Sequence, residues 1–271
     1  MKNRNYFLIF IFACCSGVVC TAEGQNKNKH YIKNRIMTTE DGNSFREKVL
    51  YYDIFGKHTE TVQVGASPQG KDLLFTFGYD ILDRPVGESL PLPDGNRNYY
   101  GDAYYYSGCV YGNSSLNRIR ESYGPGAAWR DNGKSIKTEY LANADSGDLS
   151  CAEFRAEDNG EDVKLIRSGL YAAGELSVAR TTDEDGKVVY TFTDFEGKLL
   201  LTRRMNGTEP HDTYIVYDDR GRKRIVLPPL AADELTATAS WGCNSSEVIK
   251  KYGYVYRYDG RDRVIEKKLP G

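Results

Sequence analysis

Histidine is scarce in this chain, with three residues among 271. His30, His58 and His211 lie far apart, and none has the spacing of a local metal site. There is no Gly-rich phosphate loop, no Cys-x-x-Cys pair and no Gly-x-Ser-x-Gly nucleophile motif to go with His211-Asp212. The acidic trio Asp183-Glu184-Asp185 matches no EF-hand spacing. Charge of either sign is not in excess: the formal net charge is −2, with no basic stripe, so nothing argues for nucleic acid as a partner. Past the N-terminus no apolar run is long enough to cross a bilayer. The expectation from these absences is a protein that is not an enzyme and holds no cofactor and no metal.

Cysteine is sparse outside the N-terminus. Cys14, Cys15 and Cys20 fall in a segment with Lys2 and Arg4 at its start and an uncharged, mostly apolar run from Tyr6 to Ala22. Residues 1–22 therefore read as a targeting segment, with a small-residue cleavage signal at Cys20-Thr21-Ala22 before Glu23. Ile11-Phe12-Ala13-Cys14 loosely resembles a lipobox, so processing to a lipid anchor at Cys14 and retention as an uncleaved anchor stand beside simple secretion. In each case the chain is exported, secreted or held at the cell envelope. The remaining Cys109, Cys151 and Cys243 are odd in number, which allows at most one disulfide and leaves its pairing open. Asn113, Asn206 and Asn244 begin N-x-Ser/Thr sequons, which matter only where glycosylation machinery exists.

What the chain does have is tyrosine, 21 residues of it, and a six-residue pattern that returns along its length. The pattern is an aromatic residue or Thr, then Asp, two free positions, Gly or Asp, and Arg or Lys. It runs Tyr52-Asp53-Ile54-Phe55-Gly56-Lys57, Tyr79-Asp80-Ile81-Leu82-Asp83-Arg84 and Thr182-Asp183-Glu184-Asp185-Gly186-Lys187. It returns at Thr193-Asp194-Phe195-Glu196-Gly197-Lys198, Tyr217-Asp218-Asp219-Arg220-Gly221-Arg222 and Tyr258-Asp259-Gly260-Arg261-Asp262-Arg263. Each copy stands between stretches suited to strands, such as Leu73–Phe77 before one and Ile225–Leu227 after another. Asp suits the first position of a type I turn, where its carboxylate accepts a local backbone N–H. Three residues on, a left-handed conformation is required, which Gly adopts freely and Asp tolerates. That combination is the hairpin with a type I turn and a G1 bulge. Val188–Phe192 lies between two such turns and must close one hairpin and open the next, which makes a meander. The basic residue after each turn reads as solvated and paired with a turn carboxylate.

Three regions follow: a signal segment at 1–22, a polar stretch at 23–45, and a β region at 46–271. Tyr252, Tyr254, Tyr256 and Tyr258 alternate and predict a ladder of rings on one strand face. Ile136–Tyr140 and Val163–Ile166 also read as strands. One or two short helices are expected near 230–251, at Leu230–Leu235 and Ser245–Tyr252, with Ser245 or Ser246 as a cap before Glu247. The fold class is all-β. Trp129 and the aromatic cluster of Tyr104, Tyr105 and Tyr106 could serve as a platform for stacking sugars.

The chain resembles the N-terminal region of bacterial RHS/YD-repeat proteins of Bacteroides type. The residues that carry the resemblance are the Tyr-Asp-x-x-Gly-Arg turn, Ser115-Leu116-Asn117-Arg118 with Tyr123-Gly124-Pro125-Gly126 and Trp129, and Thr213-Tyr214 through Leu227-Pro228-Pro229. Tyr256-Arg257-Tyr258-Asp259 through Leu269-Pro270-Gly271 completes it, and together these cover about 45–271. The resemblance implies a β-hairpin spiral forming part of a hollow shell, which in longer relatives encloses a C-terminal toxin. It also implies that this sequence stops before the core motif and toxin of those relatives. The expected partners are a further RHS/YD-repeat chain, or a second copy, joined by strand addition. The rival expectation is a surface glycan-binding module that uses exposed Tyr and Trp.

Overall fold

The computed structural model describes residues 18–21, 30–40, 44–159 and 162–271. The targeting segment expected at 1–22, Cys14 included, lies outside the described residues apart from 18–21. The chain forms two compact units: unit 1 runs to Cys109 and includes Gly124–Asp131, and unit 2 comprises Val110–Tyr123 and Asn132–Gly271.

Unit 1 is an antiparallel sheet. Its strands are β1 (Val18–Thr21), β2 (His30–Met37), β3 (Phe45–Tyr52), β4 (His58–Val64), β5 (Leu73–Tyr79), β6 (Pro85–Glu88) and β7 (Leu92–Pro93). The order is β1-β2-β3-β4-β5-β6, and β7 also pairs with β5. Its tightest packing is one row across the sheet: Val49 opposite Val62, Val62 opposite Leu74, and Leu74 opposite Leu92. Val49 and Leu92 are the buried large aliphatics of that row. A short helix, α1 (Ala127–Asp131), also belongs to this unit. A five-residue helix is too short to leave an apolar period in the sequence.

Unit 2 carries most of a ten-stranded antiparallel sheet and a three-stranded one. The strands are β8 (Gly108–Tyr111), β9 (Ile119–Tyr123), β10 (Ile136–Ala142), β11 (Ala152–Asn159), β12 (Asp162–Leu170), β13 (Ser177–Thr182) and β14 (Val188–Thr193). They continue as β15 (Leu199–Asn206), β16 (Glu209–Tyr217), β17 (Lys223–Leu227), β18 (Ser240–Gly242), β19 (Tyr254–Tyr258) and β20 (Val264–Lys268). The large sheet is ordered β20-β19-β17-β16-β15-β14-β13-β10-β9-β8, and the small one β11-β12-β18. From β13 to β17 the chain is the plain meander that the turns demand. Between β17 and β19 it leaves the sheet through α2 (Pro229–Glu234), β18 and α3 (Glu247–Tyr252).

One detail of this excursion differs from expectation, and the cap of the helix agrees with it. Tyr252 closes α3 rather than opening a strand, so the ring ladder starts at Tyr254. The cap of α3 is Ser246, whose Oγ accepts the Ile249 N–H at 3.3 Å. The intervening β18 pairs with β12 through Trp241 opposite Leu165, a long-range contact with no local signal.

One face of the large sheet supplies the core. Tyr190, Phe192, Leu201, Tyr214, Val216, Ile225 and Leu227 are buried there with Phe154, Val163 and Leu165 of the small sheet and with Ala231 and Ile249 of the helices. The alternation of buried and half-buried positions in β14 and β16 is the period of a sheet covered on one side.

Candidate functional site

The repeated turns form the most regular array in the molecule. In each, the Asp carboxylate Oδ1 accepts two backbone N–H groups, two and four residues ahead. Asp53 takes those of Phe55 (2.8 Å) and Lys57 (2.9 Å), and Asp80 those of Leu82 and Arg84 (both 2.9 Å). Asp183, Asp194, Asp218 and Asp259 do the same for their own turns. The residue three after each Asp has positive φ: Gly56 +82°, Gly186 +80°, Gly197 +82° and Gly221 +74°, with Asp83 at +64° and Asp262 at +59°. A register shift at Tyr51/Tyr52, Phe192/Thr193, Val216/Tyr217 and Arg257/Tyr258 marks the accompanying bulge. A turn of the same build stands at Ser67–Lys71, where Ser67 Oγ accepts the Lys71 N–H at 2.7 Å and Gly70 has φ +72°. The sequence pattern missed it because Ser replaces Asp and no aromatic residue precedes it.

The turns are tied to one another, which their sequences do not show. Turns at the same end of a meander are separated by two strands. The basic residue of one such turn lies over the tyrosine ring that opens the next. Lys57 Nζ is 5.7 Å from the Tyr79 centroid, Lys198 Nζ 6.0 Å from that of Tyr217, and Arg222 Cζ 5.3 Å from that of Tyr258. The same cation reaches the fourth turn position of the neighbour. Lys57 pairs with Asp83, and Arg222 Nη1 donates to Asp262 Oδ1 at 2.9 Å. Where that position is Gly221, the Lys198 ammonium occupies the space a Cβ would need. The tyrosine hydroxyl closes the link: Tyr79 donates to the His58 carbonyl at 2.7 Å and Tyr258 to the Lys223 carbonyl at 2.9 Å. Each acceptor is the residue just after the previous turn's cation. Every defined residue of the Tyr-Asp-x-x-(Gly/Asp)-(Arg/Lys) signature thus has a physical role, within its own turn, between turns, or both.

Turn Asp218–Arg222 is set deepest. The Asp218 and Arg224 side chains are each only 3% exposed and meet at 3.1 Å, and Arg224 also reaches Asp158 Oδ1 of β11 at 2.5 Å. Burial pushes the Asp218 carboxyl up, but Arg222, the turn N–H groups and Arg224 outweigh it and hold the group below the usual carboxylate range. Arg224, chiefly, holds Asp158 low as well. A second buried cation, Arg203, makes a two-point pair with Asp212 (2.8 and 2.6 Å) and donates to the Asp148 and Ser150 carbonyls. Arg224 thus ties the small sheet to the large one, and Arg203 ties the segment before β11 to it. His211 is opposite Arg204 in the β15–β16 pair.

The aromatic group of unit 1 is organised by α1. Asp102 Oδ2 accepts the Ala127 N–H at 2.7 Å, and this bond leads those that hold the Asp102 carboxyl below its ordinary range. Arg130 lies over Tyr104 (4.8 Å) and Tyr106 (4.4 Å) and donates to the Tyr106 carbonyl. One face of each ring is therefore taken by guanidinium. Tyr105 and Tyr106 meet edge to face at 5.8 Å, and Trp129 is 44% exposed. His58 packs between Tyr52 and Phe77 and meets the Thr61 hydroxyl at 2.8 Å, so it is a packed side chain. Burial pushes the Cys151 and Cys243 thiols up to about 12. Cys109, Cys151 and Cys243 are all unbridged. Among the described residues no group of three or more His, Cys, Asp or Glu is placed to hold a metal ion. No described helix is long and apolar enough to cross a membrane.

The geometry defines an antiparallel all-β protein whose distinctive element is a stack of cross-tied turns. Residues 25–142 carry a domain described as a domain of unknown function (DUF6443). That stretch covers a little under half of the chain and ends at the last residue of β10. No curated protein matches the chain.

Proposed function

We propose that the chain is an exported, non-enzymatic structural protein, a part of an RHS/YD-type β-hairpin spiral of the kind that forms a shell. The observation that supports this reading most is the cross-turn tie, because it makes one hairpin a template for the next. A turn whose cation is used by its neighbour has a role in assembly, which a catalytic loop would not need. On this reading the partner is another chain of the same repeat type, or a second copy, that adds strands to the sheet edge at β20. Val264 and Ile265 on that strand are 55% and 60% exposed. An edge strand of this kind offers unpaired N–H and C=O groups, and Lys267 and Lys268 protect it only in part. Light scattering after size exclusion tests the reading, together with amide exchange. Concentration-dependent association and fast exchange along 264–268 in the dilute protein are expected. A strict monomer at high concentration with slow exchange there would count against it.

The second reading is a glycan-binding surface on unit 1. It is favoured by the exposure of Tyr99 (55%), Tyr100 (38%), Tyr106 (38%) and Trp129 (44%) within one unit. Glycan-array binding lost on Trp129→Ala, with unit 1 still folded, would select it over the first.

A further inference from the structure

We propose that the turn Asp259–Arg263 is a recognition site for an incoming β-hairpin, with Arg263 as the residue that selects it and sets its register. The inference rests on the strand-addition reading above and adds the chemistry of the partner. Arg263 has the posture of Arg222. In both, Nε and Nη2 engage the turn's own Asp: 2.8 Å each for Arg222 on Asp218, and 2.7 Å each for Arg263 on Asp259. Arg222 then spends Nη1 on Asp262 of the next turn and its cationic face on Tyr258. Among the described residues Arg263 has no such neighbour, and its side chain is 71% exposed.

The partner follows from the geometry of the internal ties. Its first strand adds antiparallel to β20, and its turn comes to rest beside Asp259–Arg263. A Tyr immediately precedes its turn, and Asp stands at the turn's fourth position. The Asp pairs with Arg263 Nη1, the ring covers the guanidinium, and the hydroxyl reaches the Val264 carbonyl. That last bond fixes the register, since the equivalent bonds end on the residue just after the cation, at His58 and Lys223. A second copy of this chain has only its own β20 edge to pair here, which gives weak self-association without such a hairpin. Asp83 and Asp262 occupy the fourth position, but the first strands of their hairpins, β5 and β19, are already paired. The opposite edge of the sheet, at β8, leads into residues 112–118, which lack a carboxylate and present Arg118. The occupant is therefore a further hairpin of the same turn type, beyond those in this sequence.

A cyclised peptide of residues 253–269, shown to be a hairpin by circular dichroism, is the probe, since it carries Tyr258 at the end of a free first strand and Asp262 in its turn. Its binding to the full chain is read by fluorescence anisotropy, and its site by amide exchange over 264–268. We expect protection of 264–268, and binding about five- to tenfold weaker for the peptide with Asp262→Lys or for the chain with Arg263→Glu. Combining the two changes should restore most of the loss. Equal protection by the Asp262 and Asp262→Lys peptides would leave strand addition standing and overturn the role of Arg263. No protection by either peptide would overturn both. Binding of similar strength that protects β8 or β6 instead would also overturn the assignment.

Discussion

The same substitution at two equivalent turn positions should have very different costs. Asp183 and Asp218 both open a turn, and both accept the N–H groups two and four residues ahead. Replacing either by Ala removes those two bonds, at about 1–2 kcal/mol net for the two together. For Asp183 nothing further is lost. For Asp218 the carboxylate also holds Arg222 and the buried Arg224, and its loss leaves Arg224 with Asp158 as its one remaining ion-pair partner, beside the Tyr256 carbonyl. Breaking one partner of a buried ion pair costs about 3–5 kcal/mol, because the other charge stays desolvated. Asp158 still offsets part of that cost, so Asp218→Ala should exceed Asp183→Ala by about 2–3 kcal/mol in unit 2. Urea unfolding reads this in a Trp129→Phe background, where emission reports Trp241 of β18. Costs for the two variants that agree within about 0.5 kcal/mol would refute the reasoning, since the buried guanidinium would then contribute nothing beyond the turn.

Gly197→Val forces a β-branched side chain into φ +82° and should cost about 1–2 kcal/mol, whereas Lys198→Ala should leave the urea midpoint nearly unchanged; the reverse ranking would show that the turn conformation is misassigned. Asp158 and Asp218 have lowered carboxyl pKa values in the fold, against about 3.9 when unfolded, so their stabilisation is complete above that value and disappears as pH falls through the lowered range. Unit 2 should accordingly lose stability below about pH 4, and Asp158→Asn with Asp218→Asn should flatten that acid limb in pH-dependent melts. Native thiol labelling at pH 8 followed by mass mapping should modify Cys109 and spare Cys151 and Cys243, whose burial pushes them to about 12; rapid labelling of either buried thiol would contradict the core packing.

The turns are legible in sequence because each residue acts locally, whether as a carboxylate over two N–H groups, as a residue that accepts positive φ, or as part of a bulge. The single strand β14 follows from them, because the turns at Asp183 and Asp194 leave room for one strand only, whereas the β15–β16 hairpin between Asp194 and Asp218 turns at Gly207 outside the pattern. α2 and α3 are legible from their helix-compatible composition and the Ser246 cap. What is not legible depends on distant partners. β18 is three residues whose strand state exists only against β12. Arg203 and Arg224 look like any sheet-surface cations until distant residues, Asp148 and Ser150 for one and Asp158 for the other, meet them. The turn at Ser67 is hidden because Ser replaces Asp and uses a single hydroxyl. The cross-turn ties are hidden for a different reason. Tyr79, Tyr217 and Tyr258 read as strand residues, and only the stacking of alternate turns shows that they face the preceding cation.

That alternation limits how such a chain can change length. Successive turns lie at opposite ends of the strands, so each tie links a turn to the second one along. Removing or inserting one strand would move every later turn to the other end and separate each cation from its tyrosine. Removing or inserting two strands would leave all surviving ties in phase. Stability should then depend on a sum of nearest-neighbour terms between hairpins, as it does in repeat proteins. A gene of this type can grow or shrink by duplication only in whole hairpins, and each new hairpin must bring both its tyrosine for the one before and its cation for the one after.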